Sequence, residues 1–324
     1  MMCDFSKYIV RDTVTIREAL IALNRLSDDV LVLFVVDSGN CLVGTLTDGD
    51  IRRKLIEGVG ISEQVKGVMN KNFHFEETFC VERLKELKTN GITLLPILKK
   101  DGTIVRVYNL KKKKSVLPLD AVLMAGGKGE RLRPLTELTP KPLLKVGDKA
   151  IIDYNIDNLI SFGVSHISVT TNYLGEQIEK HFEEPREEVK VNCVREPQYL
   201  GTIGSIKFVE TFYNDTILLM NSDLFTNINF EDFYLHFKRN NADMSVAAIP
   251  YSISVPYGIF ELEERTIKGV KEKPTYNYYA NSGIYLIKRK LLDLIPDGVF
   301  FNATDFMEML IRIMLSVFRL SVIG

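Results

Sequence analysis

No tryptophan occurs in the chain's 324 residues, and cysteine and histidine are scarce at four each. Cys3, Cys41, Cys80 and Cys193 show no paired spacing, and His74, His166, His181 and His236 add no metal-ligand pattern to them. Neither a zinc site nor a disulfide framework is indicated, and a reducing cytoplasm is the expected compartment. Net charge is only −1, so no global field draws the protein to nucleic acid or to a membrane. The basic run 111–114 is short, lacks interleaved aromatics and reads as a solvated linker. Long apolar runs are missing too. The longest, 30–36, has a strand's length rather than a membrane span's. The opening MMCDFSKYIVRD has no apolar core of signal-peptide type.

The remaining composition is that of an ordinary globular protein, 46% hydrophobic and 26% charged. The length suits two domains, each with its own core.

Residues 123–144, LMAGGKGERLRPLTELTPKPLL, carry the most information. An apolar strand, 121–124, runs into Gly126, Gly127, Lys128, Gly129 and Arg131, and Lys141 follows between Pro140 and Pro142. Glycines after a buried strand let backbone N–H groups approach a polyanion, because no Cβ intervenes. Arg131 and Lys141 add two full positive charges. The pattern is that of a phosphate site. It is not the dinucleotide fingerprint, which needs a glycine where Leu132 stands, nor the phosphate loop, which needs Ser or Thr where Gly129 follows Lys128.

This segment resembles the opening motif of sugar-1-phosphate nucleotidyltransferases, G-G-x-G-x-R-L…P-K-P, and the resemblance runs from about residue 120 to 305. It implies an Mg²⁺-dependent enzyme that joins an NTP to a hexose 1-phosphate. Alternating elements fit that expectation: helix 151–162, strand 166–171, helix 174–182, strand 189–194, helix 203–212 and strand 216–220. The rhythm predicts a doubly wound α/β domain with a mixed sheet and ligands at the strands' carboxyl ends.

Further motifs fall at such ends. Asn221-Ser222-Asp223 closes a strand, and the resemblance makes Asp223 the metal-binding aspartate; the alternative is a helix cap. Residues 196–202, EPQYLGT, match E-x-x-x-L-G-T, with Glu196, Gly201 and Thr202 expected at the nucleotide. Ile203 replaces the family's usual alanine. A carboxylate can accept both Watson–Crick donors of guanine, so Glu196 tilts the choice to GTP; a surface ion pair near Arg195 is the alternative. Pro256-Tyr257-Gly258 opens an expected hairpin, 259–263 with 266–271, leading to Glu272-Lys273-Pro274. The resemblance gives Lys273 the sugar's phosphate, and Gly258, Glu272, Asn281 and Gly283 the sugar pocket. Arg131, Lys141 and Lys273 are thus the expected catalytic cations. Uridylyl, thymidylyl or cytidylyl transfer is the enzymatic alternative.

Residues 1–115 read as a separate α+β unit with a partial internal repeat. Thr15-x-x-Glu18 is a capping box ahead of a helix, followed by strands 30–36 and 41–46. Helix 81–88 and strands 93–98 and 103–108 repeat the order. The pair resembles a tandem CBS (Bateman) module, in which Gly44, Thr47 and Asp50 match the motif that holds an adenine nucleotide's ribose. Arg106, Asn109 and Lys112 stand at those places in the second copy, without the acidic partner. The alternative is that Thr47 and Asp50 simply cap a helix.

Similar CBS-fused enzymes make GDP-sugars, from mannose 1-phosphate or glucosamine 1-phosphate, for surface glycans such as lipopolysaccharide. They continue past F-N-A-T-D, matched by residues 301–305, into G-Y-W-x-D-I-G with a second metal ligand; this chain stops about there. Three readings compete: a truncated or frameshifted copy, weakly active or inactive, substitution by another carboxylate such as Asp305, or an amphipathic membrane-surface helix in 307–324; the first is preferred and the last ranked lowest. The rival from another class is a non-catalytic nucleotide-binding regulator. The oligomeric state is left open, a homo-oligomer included.

Overall fold

The computed structural model describes residues 5–27, 29–78, 80–186, 189–313 and 320–323. Cys3 and parts of the apolar tail, 314–319 and 324, lie outside the described residues. The chain divides into two compact units, Met1–Val116 with Ser161–Gly163, and Leu117–Ile160 with Val164–Gly324.

The first unit runs β1 (Ile9–Arg11), α1 (Ile16–Asn24), β2 (Val32–Val36), β3 (Leu42–Thr47), α2 (Asp48–Ile56), α3 (Val81–Thr89), β4 (Leu94–Leu98) and β5 (Ile104–Asn109). β1 lies parallel to β2, which pairs antiparallel with β3; β4 and β5 form a separate hairpin. The capping box at Thr15 and Glu18 opens α1 as its spacing predicts. Ile16, Ala19 and Leu23 of α1 pack with Leu33, Leu46 and Ile51, and with Leu94, Leu98 and Val107 of the second hairpin. The second hairpin thus contributes to the first repeat's core, while Leu84 and Leu87 of α3 pack with Leu95, Leu110 and Val116 in a second cluster.

The second unit contains β6 (Asp120–Ala125), α4 (Leu135–Leu138), β7 (Lys145–Val146), β8 (Lys149–Ala150), α5 (Ile151–Ser161), β9 (His166–Thr171), α6 (Gly175–His181), β10 (Val191–Arg195) and β11 (Thr216–Asn221). It continues through α7 (Phe230–Arg239), β12 (Met244–Ser254), β13 (Ile259–Glu263), β14 (Thr266–Lys271), β15 (Thr275–Lys288), α8 (Ala303–Ile313) and β16 (Leu320–Ile323). Seven strands form a mixed sheet in the order β10-β9-β6-β11-β15-β12-β16. β10, β9, β6 and β11 are parallel, and β15 is antiparallel to both β11 and β12. β6 and β11 are almost wholly buried, which is why both read as apolar runs without alternation. Their carboxyl ends fall side by side, Asn221 opposite Met124.

Beyond the sheet, β12 and β15 run on together to Ser254 opposite Thr275 as an exposed two-stranded ribbon, and between them lies the β13–β14 hairpin. That hairpin has the predicted limits.

Two expectations are corrected. The helix expected over 203–212 is only a 3₁₀ segment, Gly204–Phe208. Ile203 N and Gly204 N donate to Phe301 O, and beyond them Ile206 N and Val209 N donate three residues back, to Ile203 O and Ile206 O, before the chain turns extended at Val209. The tail, for which a surface helix ranked last, is helical to Ile313, in α8, but the helix does not extend to 320–323. Leu320–Ile323 pairs parallel with β12, Met244 opposite Leu320, and lies in the sheet.

Candidate active site

The glycine loop leaves the end of β6 and folds back on its own motif. Gly129 has φ +62°, a left-handed conformation that a side chain would strain. A Cβ there would also lie 2.9 Å from Thr136 Cγ2 and 3.1 Å from Lys141 Cβ. Thr136, itself buried, donates its hydroxyl to Gly129 O at 2.9 Å. The spacing from Gly129 to Thr136 and Lys141 is thus the spacing of one closed loop, and it delivers Lys141 to the strand ends.

Lys141 Nζ is ion-paired with Asp223 Oδ2, and both side chains are partly accessible. Asp223 follows β11 directly, and its neighbours hold it in place. Ser222 donates its hydroxyl to Met124 O at 2.7 Å. Asn155 of α5 donates to Ser222 O at 3.1 Å and to Leu224 O at 2.8 Å, bracketing the aspartate. Sequence reading missed Asn155. The available signal was a polar residue amid Ile152, Ile156, Leu159 and Ile160, where an apolar helix face leaves no room for an unpaired amide.

Glu196 emerges from β10 and is buried at 3% exposure. Its carboxylate lies against Gly126, on the side where a Cβ would stand. Leu200 N donates to its Oε2 at 2.9 Å. Burial pushes its carboxyl up to about 7, against the lowering effect of that one hydrogen bond. The surface ion pair considered for Glu196 is not formed; Arg195 instead meets Glu179 at 2.9 Å and Glu176 at 3.4 Å. Asn172 supports the same corner by donating to Glu196 O at 3.4 Å.

Gly283 packs against the Asn221 side chain, two residues before Asp223. Asn281 accepts from Gly283 N at 3.0 Å and donates to Tyr285 OH at 2.7 Å. Glu196, Gly126, Gly129, Lys141, Asp223, Asn221 and Gly283 therefore form one continuous run at the carboxyl ends of the sheet. Arg131 and Gly127 are exposed beside it, and nothing approaches Gly127 within 4 Å of a Cβ position. Gly258 and Glu272 form their own contact, the carboxylate 2.9 Å from the Gly258 Cβ position. Exposed Lys273, next along the chain, has φ +42°, uncommon for a residue with a side chain.

Two further candidates carry structural contacts. Gly201 packs against Phe301 O, and Thr202 Oγ1 accepts from Ala303 N at 2.8 Å, so this pair anchors the start of α8. The helix begins at Ala303, with Asp305 accepting from Asn302 N at 3.1 Å as the first-turn partner of a cap. In the first unit, Thr47 and Asp50 form a complete capping box on α2, with Asp50 also bound by Arg53 at 2.6 Å. Asn109 and Lys112 of the second repeat both reach Asp29, at 2.8 and 3.4 Å.

A strand-end carboxylate, a lysine and a glycine loop are the parts from which polyphosphate sites are made. The nucleotidyl transferase family model matches residues 120–310, more than half of the chain. The chain belongs to that family. Its members similar to this chain include mannose-1-phosphate guanyltransferase beta-B of Xenopus laevis, 28% identical over 186 residues, 55% of this chain and 52% of the relative. The mannose-1-phosphate guanyltransferase of Yarrowia lipolytica is 31% identical over 186 residues, 55% of this chain and 51% of the relative. The chain spans about half the length of the curated relatives it matches. Among solved structures, HddC from Yersinia pseudotuberculosis is 22% identical, with TM-score 0.47, covering 63% of this chain and 89% of that one.

No helix among the described residues is long and apolar enough to cross a membrane, and no group of three or more His, Cys, Asp or Glu among them is placed to hold a metal.

Proposed function

We propose that the second unit transfers a nucleotidyl group from an NTP, preferentially GTP, to a hexose 1-phosphate, releasing pyrophosphate. The observation that carries this reading is the Lys141–Asp223 pair beside the glycine loop, at the carboxyl ends of β6 and β11. The mannose-1-phosphate guanylyltransferase names of the relatives agree with a sugar phosphate and a guanine nucleotide.

An oxygen of the sugar's phosphate attacks the α-phosphorus in line; the bond to the β-phosphate oxygen breaks, and pyrophosphate leaves with the electron pair. No protein nucleophile is required, so positioning and charge stabilisation do the catalysis. Arg131 neutralises the departing pyrophosphate, Lys141 the α-phosphate, and Lys273 orients the attacking phosphate. Gly258, Glu272, Asn281 and Gly283 line the sugar side. Glu196 accepts the two donors of guanine.

The chemistry of Asp223 fits Mg²⁺, which takes one or two protein carboxylates and fills its remaining positions with water and phosphate oxygens. Such an ion would screen the phosphates' charge. The lysine now paired with Asp223 is free to turn to phosphate when a cation takes the carboxylate.

We further propose that the first unit is of the tandem CBS type, on its repeated order of elements and the Gly44, Thr47 and Asp50 motif; the capping box and Arg53 already engage Thr47 and Asp50, so an adenine nucleotide there would have to compete with those bonds. The product GDP-sugar would serve surface-glycan synthesis, and the lack of paired cysteine spacing supports a reducing cytoplasm as its compartment.

The test is pyrophosphate release by the purified chain with Mg²⁺, five NTPs and a panel of hexose 1-phosphates. Turnover with GTP and one sugar is the expected result. Nucleotide binding without turnover across the panel would point to the regulator instead.

A further inference from the structure

Two large aromatic side chains stand at the edge of the Glu196 corner, and the reaction as proposed gives neither of them a task. Tyr199 is 44% exposed and Phe300 53% exposed, although each adjoins a residue turned inward. Leu200 is fully buried, and Phe301 packs on Phe306 at 6.2 Å between ring centroids. Tyr199 and Phe300 meet edge to face, with centroids 5.8 Å apart and planes at 65°.

The loops that carry them are bolted together along their length. Phe301 N donates to Leu200 O at 3.0 Å, and Ile203 N and Gly204 N donate to Phe301 O at 3.1 and 3.2 Å. Gln198 Nε2 donates to Gly298 O at 3.4 Å. The left-handed Gly201 backbone lets Phe301 O come within 2.6 Å of where a Cβ would stand. A pair of rings held this firmly pays little ordering entropy when it meets a flat ligand.

Tyr199 lies three residues from Glu196, and the backbone turns back there on that carboxylate, which accepts from the next residue's N–H, Leu200 N, at 2.9 Å. We propose that the Tyr199 ring, held edge to face by Phe300, is the stacking platform for the nucleobase whose edge Glu196 reads. The inference rests on the nucleotide-binding reading above and adds a division of labour to it. Stacking supplies affinity and is tolerant of base identity, because every base has a π-face. The carboxylate of Glu196 supplies the choice among bases.

The full chain, Tyr199→Ala, Phe300→Ala and Tyr199→Phe are titrated calorimetrically with Mg²⁺-GTP and, separately, with Mg²⁺-tripolyphosphate, which has no base. Tyr199→Ala is expected to bind GTP about 10- to 100-fold more weakly, Phe300→Ala to weaken it by a smaller factor through loss of support for the ring, and both to bind tripolyphosphate as tightly as the parent. Tyr199→Phe keeps the ring and is expected to stay within about twofold for GTP. Both rings are exposed, and unchanged thermal unfolding of the variants confirms that folding is not at issue. Equal weakening toward both ligands, or unchanged GTP affinity in both alanine variants, overturns the platform while leaving nucleotide binding intact. A parent chain that binds tripolyphosphate but not GTP overturns the platform and the guanylyl reading together.

Discussion

Lys141 and Asp223 form an ion pair although 82 positions separate them in the chain. The pair joins the Pro-Lys-Pro end of the glycine motif to the aspartate at the end of β11, so two charges of opposite sign share the place where a phosphate and a cation are to meet. Neither side chain is buried, and an exposed pair contributes at most about 1 kcal/mol to stability. Its value is therefore in position.

Asp223→Ala should accordingly leave the melting temperature almost unchanged and lower the rate of pyrophosphate release by about 10²–10³-fold or more. Lys141→Met should behave in the same way. Steady-state assays beside thermal unfolding separate the two quantities. A variant with a parent-like rate would remove Asp223 from the chemistry.

Glu196 predicts a dependence on pH. Its folded pKa, about 7, lies above the unfolded glutamate value of about 4.3. The folded state therefore holds the proton more tightly, and the stability contributed by this group is complete below about pH 4.3 and declines until about pH 7. Glu196→Gln should lack that slope in denaturant unfolding measured from pH 4 to 8. GTP affinity should move the other way, rising as the carboxylate forms between about pH 6 and 8, because only the ionised form accepts both guanine donors. A pH-independent difference between parent and variant would contradict the assignment.

Gly126 and Gly127 are adjacent but differ in what surrounds them. A methyl group at Gly126 would press on the buried Glu196 carboxylate, whereas one at Gly127 meets nothing within 4 Å. Gly126→Ala is expected to cost about 1–3 kcal/mol by overpacking, and Gly127→Ala to stay within about 0.5 kcal/mol. Urea unfolding of the two variants decides it, and equal losses would refute the geometry.

Asn155→Ala removes the donor to two carbonyls, those of Ser222 and Leu224. Leaving them unsatisfied should cost about 1–3 kcal/mol. Freed from that bracket, Asp223 should need more Mg²⁺ for half-maximal rate. A stability loss with an unaltered Mg²⁺ response would show that Asn155 serves the fold alone.

What could be read from sequence divides along local and long-range lines. Strand His166–Thr171 and both strands of the β13–β14 hairpin carry their limits in short patterns of apolar and turn residues, and those limits hold in the structure. The glycine motif was legible because glycine and lysine spacing expresses the needs of one closed loop. The segment 203–212 was not: its apolar spacing suits a helix, but the chain is tied to Phe301, about a hundred residues away, and turns extended at Val209. The same holds for the site. Lys141, Asp223, Glu196 and Gly126 each announced themselves, but their contacts are properties of the sheet order and appear in no local window. Asn155 and the aromatic pair were passed over for a related reason, since a single amide or ring acquires meaning only from what faces it.

The ribbon of β12 and β15 also bears on the order in which the second unit folds. Glu263 pairs with Thr266 across a two-residue turn, so β13 and β14 can join with almost no chain to close. Once joined, they draw Ser254 and Thr275 together, and the longer ladder can zip inward from its tip. The parallel pair β6 and β11 has no such aid, because residues 120–124 must find 217–221 directly. In pulsed hydrogen exchange during refolding, amides of the β12–β15 ladder should gain protection before those of β11. The reverse order would mean that the parallel core forms first and templates the ribbon.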